Sequence, residues 1–94
     1  MKYKFYQDAG HGWLRVKVRE LFELGILGEI SRYSYVSPNA EWAYLEEDCD
    51  FAKFIYAKKW PDAAIPHNVQ FMKQCKSYSQ IRKYPSIARL KVKS

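Results

Sequence analysis

His11 stands between two glycines in the stretch Asp8-Ala9-Gly10-His11-Gly12-Trp13. An imidazole titrates near neutrality and glycines admit close approach of a substrate, so His11 is a candidate general base or ligand. The plainer reading comes first: the stretch is a turn, His11 lies at the surface and Trp13 anchors the next strand. A second group, Glu46, Glu47, Asp48 and Asp50, crowds carboxylates together. Clustered carboxylates hold hard divalent cations in nucleases. The same residues suit a helix start, with Asp48 as N-cap and Asp50 beside the exposed N–H dipoles. Strand alternation would also send Glu46 and Glu47 to opposite faces. The third group is C-terminal: Lys73, Lys76, Arg82, Lys83, Arg89, Lys91 and Lys93, interleaved with Tyr78 and Tyr84. Cations bind phosphates and rings stack on unpaired bases. A solvated basic edge that discourages sheet-to-sheet aggregation is the structural alternative. Cys49 as a nucleophile with His11 or His67 is a minor option, because nothing in the sequence brings them together.

The charge is unevenly placed. Residues 1–62 hold nine Lys/Arg against ten acids, whereas residues 63–94 hold seven Lys/Arg and no acid, so the net +6 resides in the last third. Such asymmetry attracts polyanions and argues against an acidic DNA mimic. With 48% hydrophobic and 17% aromatic residues the chain is far from a disordered composition. Its 94 residues are expected to form one domain over 1–94. No apolar run approaches the roughly 18–20 residues of a membrane span, and the N-terminus lacks the apolar region of a signal peptide. Cys49 and Cys75 lie too far apart for a C-x-x-C site, so a reducing cytoplasm is the simplest location. No Walker loop, G-x-S-x-G, zinc spacing or dinucleotide fingerprint is present, and no cofactor is expected.

The elements that would position these groups follow from periodicity. Residues 2–7 alternate, with Tyr3 and Phe5 on one face and Lys2 and Lys4 on the other, as in a half-buried strand. Leu14, Val16 and Val18 alternate with Arg15 and Lys17 in a second strand, antiparallel to the first. A short helix ends at Gly25, with Ile26 returning onto Leu21 in a Schellman end and Phe22 left exposed. Tyr33 and Tyr35 face Trp42 and Tyr44 in a hairpin that turns at Ser37-Pro38-Asn39. A second helix over 48–59 buries Phe51, Phe54 and Ile55, and Trp60-Pro61 stops it. Residues 61–68 read as a connection, 69–78 as a strand, 79–87 as a loop or edge segment, and 88–94 as a short last strand or a frayed end. The expected fold is α+β: a mainly antiparallel sheet of five or six strands with two helices on one face, ordered β-β-α-β-β-α-β.

Three stretches, "YKFYQDAGHGWLRV", "YSYVSPNAEWAYLEEDCD" and "IRKYPS", carry a resemblance to small uncharacterised proteins encoded by bacteriophages and other mobile elements. That group shares a G-H-G-W-L turn, a Y-L-E-E-D-C-D junction and an I-R-x-Y-P-S segment. The likeness spans about residues 3–87. Phe22 and the long "SPNAEW" turn depart from it, and mark a partner surface together with His11, Trp13 and Trp42. The resemblance implies a setting in which small proteins act by binding, among them inhibitors of host defence such as anti-CRISPR proteins. The leading expectation is a non-enzymatic binder of nucleic acid or of a nucleoprotein complex. Lys73, Lys76, Arg82, Lys83, Arg89 and Lys91 would contact phosphates or acidic side chains, with Tyr84 stacking. Two alternatives stand beside it: a metal-assisted phosphodiesterase built on His11, Glu46, Asp48 and Asp50, and a protein–protein adaptor using the exposed aromatics.

Overall fold

The computed structural model of the chain describes residues 2–75 and 79–91. β1 (Tyr3–Gln7) and β2 (Gly12–Lys17) form the expected antiparallel pair, joined by the turn that carries His11. α1 (Val18–Glu23) follows β2 without a linker. Gly25 adopts a φ of +75°. The Ile26 N–H then reaches the Leu21 carbonyl and the Gly25 N–H the Phe22 carbonyl, both at 3.0 Å. These two bonds are the Schellman pattern that the sequence implied. Phe22, off the apolar stripe, is 73% exposed.

β3 (Tyr35–Val36) and β4 (Trp42–Glu46) form the hairpin, although β3 pairs through only two residues. α2 (Phe51–Lys58) begins later than its acidic lead-in suggested, and Lys59 ends it in the left-handed conformation. The 61–68 connection is more ordered than its sequence indicates: a 3-10 turn, Asp62–Ala64, runs into the short α3 (Ile65–Asn68). β5 (Val69–Phe71) is shorter than the expected 69–78 strand. It lies parallel to β1, and the chain beyond it stays tied to the β1 edge through Met72 N–H to Phe5 O and Cys75 N–H to Gln7 O, both 2.9 Å. Residues 87–91 wind into a 3-10 turn, so the described part of 88–94 is not a strand, and residues 92–94 lie outside the described residues.

The sheet order is β3-β4-β2-β1-β5. It is antiparallel apart from the β1–β5 pair. One face carries the main core, where Phe5, Leu14, Val16, Ala43 and Leu45 meet Leu21 of α1 and Phe54 of α2. Both longer helices therefore pack on the same face. Each fully buried side chain of this size contributes about 1.5–3 kcal/mol.

The opposite face is where the expectation of one helix layer on one sheet layer needed extending. Trp13, Tyr44 and Ile81 form a second, smaller core there, bordered by Tyr6, Tyr35, Trp42 and Tyr84. Ile81 comes from a 3-10 turn, Gln80–Lys83, laid across the strands. This short cover leaves the sheet open at both ends.

Candidate functional site

The first opening, a cleft of about 300 Å³, is lined by His11, Trp13, Tyr33, Tyr35, Glu46, Asp48, Cys49 and Arg82. The three stretches on which the resemblance rests all contribute side chains to it. Its floor follows from strand register, since Trp13 of β2 is the cross-strand partner of Glu46 of β4. Alternation buries Glu46 and exposes Glu47, as expected. Glu46 Oε1 accepts the backbone N–H groups of Asp48 (2.8 Å) and Cys49 (3.0 Å), which folds the chain sharply after β4. Its Oε2 lies 3.4 Å from His11 Nδ1. His11 and the acidic run therefore do meet, as the hydrolase alternative requires.

The rest of that alternative does not assemble. Asp50 accepts the Ser31 N–H (2.9 Å), the Ser31 hydroxyl (2.7 Å), the Ser34 hydroxyl and Lys53 Nζ (3.1 Å). Burial alone would raise its pKa, but these donors outweigh burial and lower it. Asp50 thus braces α2 against the loop before β3, and it occupies the N-cap position expected of Asp48 without making a side-chain cap bond. Among the described residues no group of three or more His, Cys, Asp or Glu side chains is arranged to hold a metal. Cys49 shares the cleft with His11, yet desolvation, and then the Glu46 carboxylate, raise its thiol pKa. That is the opposite of what a thiolate nucleophile needs.

The two glycines around His11 have steric reasons. A Cβ on Gly12 would stand 2.6 Å from Phe5 Cζ, and one on Gly10 would stand 3.0 Å from Arg82 Nη2. Arg82 comes close because buried Asp8 holds it, Nε to Oδ2 at 2.7 Å and Nη2 to Oδ1 at 2.9 Å. Asp8 also accepts the N–H groups of Gly10 (2.9 Å), His11 (3.0 Å) and Ser79 (2.9 Å). Arg82 foremost, and these N–H donors after it, hold the Asp8 carboxyl far below the usual range despite burial. The turn is therefore a structural clasp between β1–β2 and the segment over the sheet.

That clasp also bears on the basic-tail reading. Arg82, one of the phosphate contacts of that reading, is held by Asp8, and Tyr84 packs on Tyr44 with ring centroids 5.4 Å apart. The remaining cations are dispersed. Lys73 follows β5 on the outer edge of β1. Lys83 is exposed on the turn over the sheet. Arg89 follows Ser86, which bridges to Tyr35 on the opposite sheet edge. Lys76, Tyr78 and Lys93 lie outside the described residues, as does the Lys91 side chain. The chain crosses the whole sheet between residues 73 and 89, so cations adjacent in sequence are carried to different sides.

The second opening, of about 550 Å³, lies on the same face at the other end of β2 and is lined by Lys2, Tyr3, Lys4, Arg15, Lys17, Glu20 and Trp42. The residues of β1 and β2 that alternate away from the main core supply its cations. Arg15 stacks over the Trp42 ring with Cζ 4.1 Å from the centroid, and Lys17 Nζ is 5.1 Å from it. Arg15 Nε is buried without a hydrogen-bond partner. The carboxylate on this lining, Glu20, is already bound by Lys58 Nζ at 2.6 Å and by the Tyr3 hydroxyl at 2.7 Å. Lys17 has a looser partner in Glu41 at 3.4 Å, an exposed pair of small net energy. The sequence signal for this patch is the K-x-K and R-x-K alternation of β1 and β2. The larger charge surplus of the tail masks it at the level of composition. Comparison with family models, curated proteins and solved structures finds no match to this chain.

Proposed function

We propose that the protein is a non-enzymatic binder of single-stranded nucleic acid, free or within a nucleoprotein complex, and that it binds through the basic, aromatic face of β1, β2 and β4. The observation that carries this reading is Arg15, a half-buried guanidinium stacked on the Trp42 ring in an opening lined by three lysines. The accessible part of such a guanidinium forms charge-assisted hydrogen bonds to phosphate oxygens. Lys2, Lys4 and Lys17 surround it and extend the positive potential. An aromatic sheet face with flanking cations is a recurrent platform for unpaired bases. In the mobile-element setting implied by the resemblance, such a binder would act as an inhibitor of host defence.

Fluorescence anisotropy with a short labelled DNA or RNA strand over a salt series tests the reading. Affinity should fall with salt, and Lys4→Gln should flatten the log–log slope by about 0.7, the value for one phosphate no longer neutralised on a single strand. Binding that ignores salt would overturn the proposal. So would full retention of binding in a Lys4→Gln/Lys17→Gln variant combined with its loss in Lys73→Gln/Lys83→Gln/Arg89→Gln.

A further inference from the structure

Resting on that reading, we infer that Lys58, which does not line the basic opening, keeps it receptive to phosphate by engaging Glu20, the carboxylate inside it. Among the described residues Glu20 is the one acid on that lining, beside Lys2, Lys4, Arg15 and Lys17. α1 brings it there, since Glu20 lies in the first helical turn after β2. A carboxylate in such company is an internal competitor. Left unheld, it pairs with one of these cations and takes the place of a phosphate.

Two groups occupy it instead. The Tyr3 hydroxyl donates to Oε1 at 2.9 Å and to Oε2 at 2.7 Å, and Lys58 Nζ donates to Oε2 at 2.6 Å. Lys58 is the last residue of α2, and more than the ion pair pins its ammonium. Tyr3, Phe54 and Trp60 pack on one another with ring centroids 5.3, 5.5 and 5.8 Å apart. Nζ lies over this trio, 5.7 Å from the Tyr3 centroid, 5.9 Å from Phe54 and 6.0 Å from Trp60. Rings at that range attract a cation through their negative faces. The Lys58 and Glu20 side chains are 25% and 22% exposed, so the pair is shielded from the water and salt that weaken the half-exposed Lys17–Glu41 pair. The hydrogen bond to Glu20 raises the Lys58 pKa against desolvation, which keeps the ammonium charged. A helix-end lysine also suits the macrodipole of α2, but that role requires neither the three rings nor the carboxylate. Lys58 is therefore a positioning residue: it acts on the phosphate site through Glu20.

The experiment measures binding of a short labelled oligo-dT over a salt series, on the full chain and its variants. Lys58→Gln should weaken binding about fivefold, the size of one unit charge acting over a few ångströms in water. It should also flatten the log–log salt slope by about 0.7, because one cation of the lining is then neutralised internally. Glu20→Gln/Lys58→Gln should restore the native affinity and slope, and Lys58→Arg should keep both. The double variant also lacks the ammonium over the rings, so a loss caused by damage to the fold would persist there. Glu20→Gln alone leaves the lysine in place and removes the competitor, and it should bind at least as tightly as the native chain. Native affinity in Lys58→Gln, a loss that persists in the double variant, or weaker binding by Glu20→Gln would each overturn the role of Lys58 and leave the binding face standing. Native-chain binding that ignores salt would overturn both.

Discussion

The two openings on the aromatic face are built from the same pair of strands, yet they use charge in opposite ways. At the cleft end, charges are embedded: Asp8 has no exposed side-chain surface and is clasped by Arg82, and Glu46 is tied to backbone N–H groups. At the Trp42 end, charges stand more open, with exposed Lys17 and half-buried Arg15 resting on a ring. Embedded charges are structural parts whose removal is expensive, since the partner stays behind half-buried. Open charges cost little to hold and are available to a ligand. One β-ladder thus carries a rigid, hydrogen-bonded end and an electrostatically receptive end.

The largest expected effect is at the clasp. Asp8→Ala should destabilise the fold by about 3–5 kcal/mol, read by urea denaturation, because it strands Arg82 and three backbone donors. A loss under about 1 kcal/mol, the size of an exposed pair, would show that the cleft end is no more embedded than the other. The same clasp sets an acid limit. The folded pKa of Asp8 is depressed, so its stabilisation is fully present above its unfolded value near 3.9 and is lost as pH falls below it. The Asp8 contribution to the denaturation midpoint should therefore be flat from pH 6 to about pH 4.5 and fall steeply between about pH 4 and pH 2 in the native chain, and less steeply in Asp8→Asn. Gly12→Ala comes next, at about 1–3 kcal/mol, since its Cβ must displace the buried Phe5 ring. Smallest of all, Lys4→Gln at the receptive end should shift stability by less than about 0.5 kcal/mol. A midpoint change of the size seen for Gly12→Ala would mean that Lys4 is part of the scaffold, and the contrast between the ends would vanish.

Much of the fold was legible locally. The alternation of Tyr3 and Phe5 with Lys2 and Lys4, the glycine stop after Leu24 and the apolar stripe of α2 each declare themselves within a few residues, because helix and strand periods are local properties of the backbone. The short β5, its parallel pairing with β1 and the 3-10 cover over the second face were not legible. They depend on which edge and which face the chain finds free after the hairpins have formed. The His11 turn shows both sides of this. Its glycines announced a turn, but the reason for two of them lies in Phe5 and Arg82, the latter from the opposite end of the chain.

The sequence by itself determined the α+β class, the exposed Phe22, the burial contrast between Glu46 and Glu47, and the total charge. Only the tertiary structure decided where that charge acts. Net charge is a sum over the chain and is indifferent to folding, whereas a surface potential depends on distance and on which carboxylate each cation finds. The carboxylate-free tail crosses from one sheet edge to the other, gives Arg82 to Asp8 and disperses its other described cations. β1 and β2, drawn from the nearly balanced part of the chain, gather theirs on one face because alternate strand residues must point the same way.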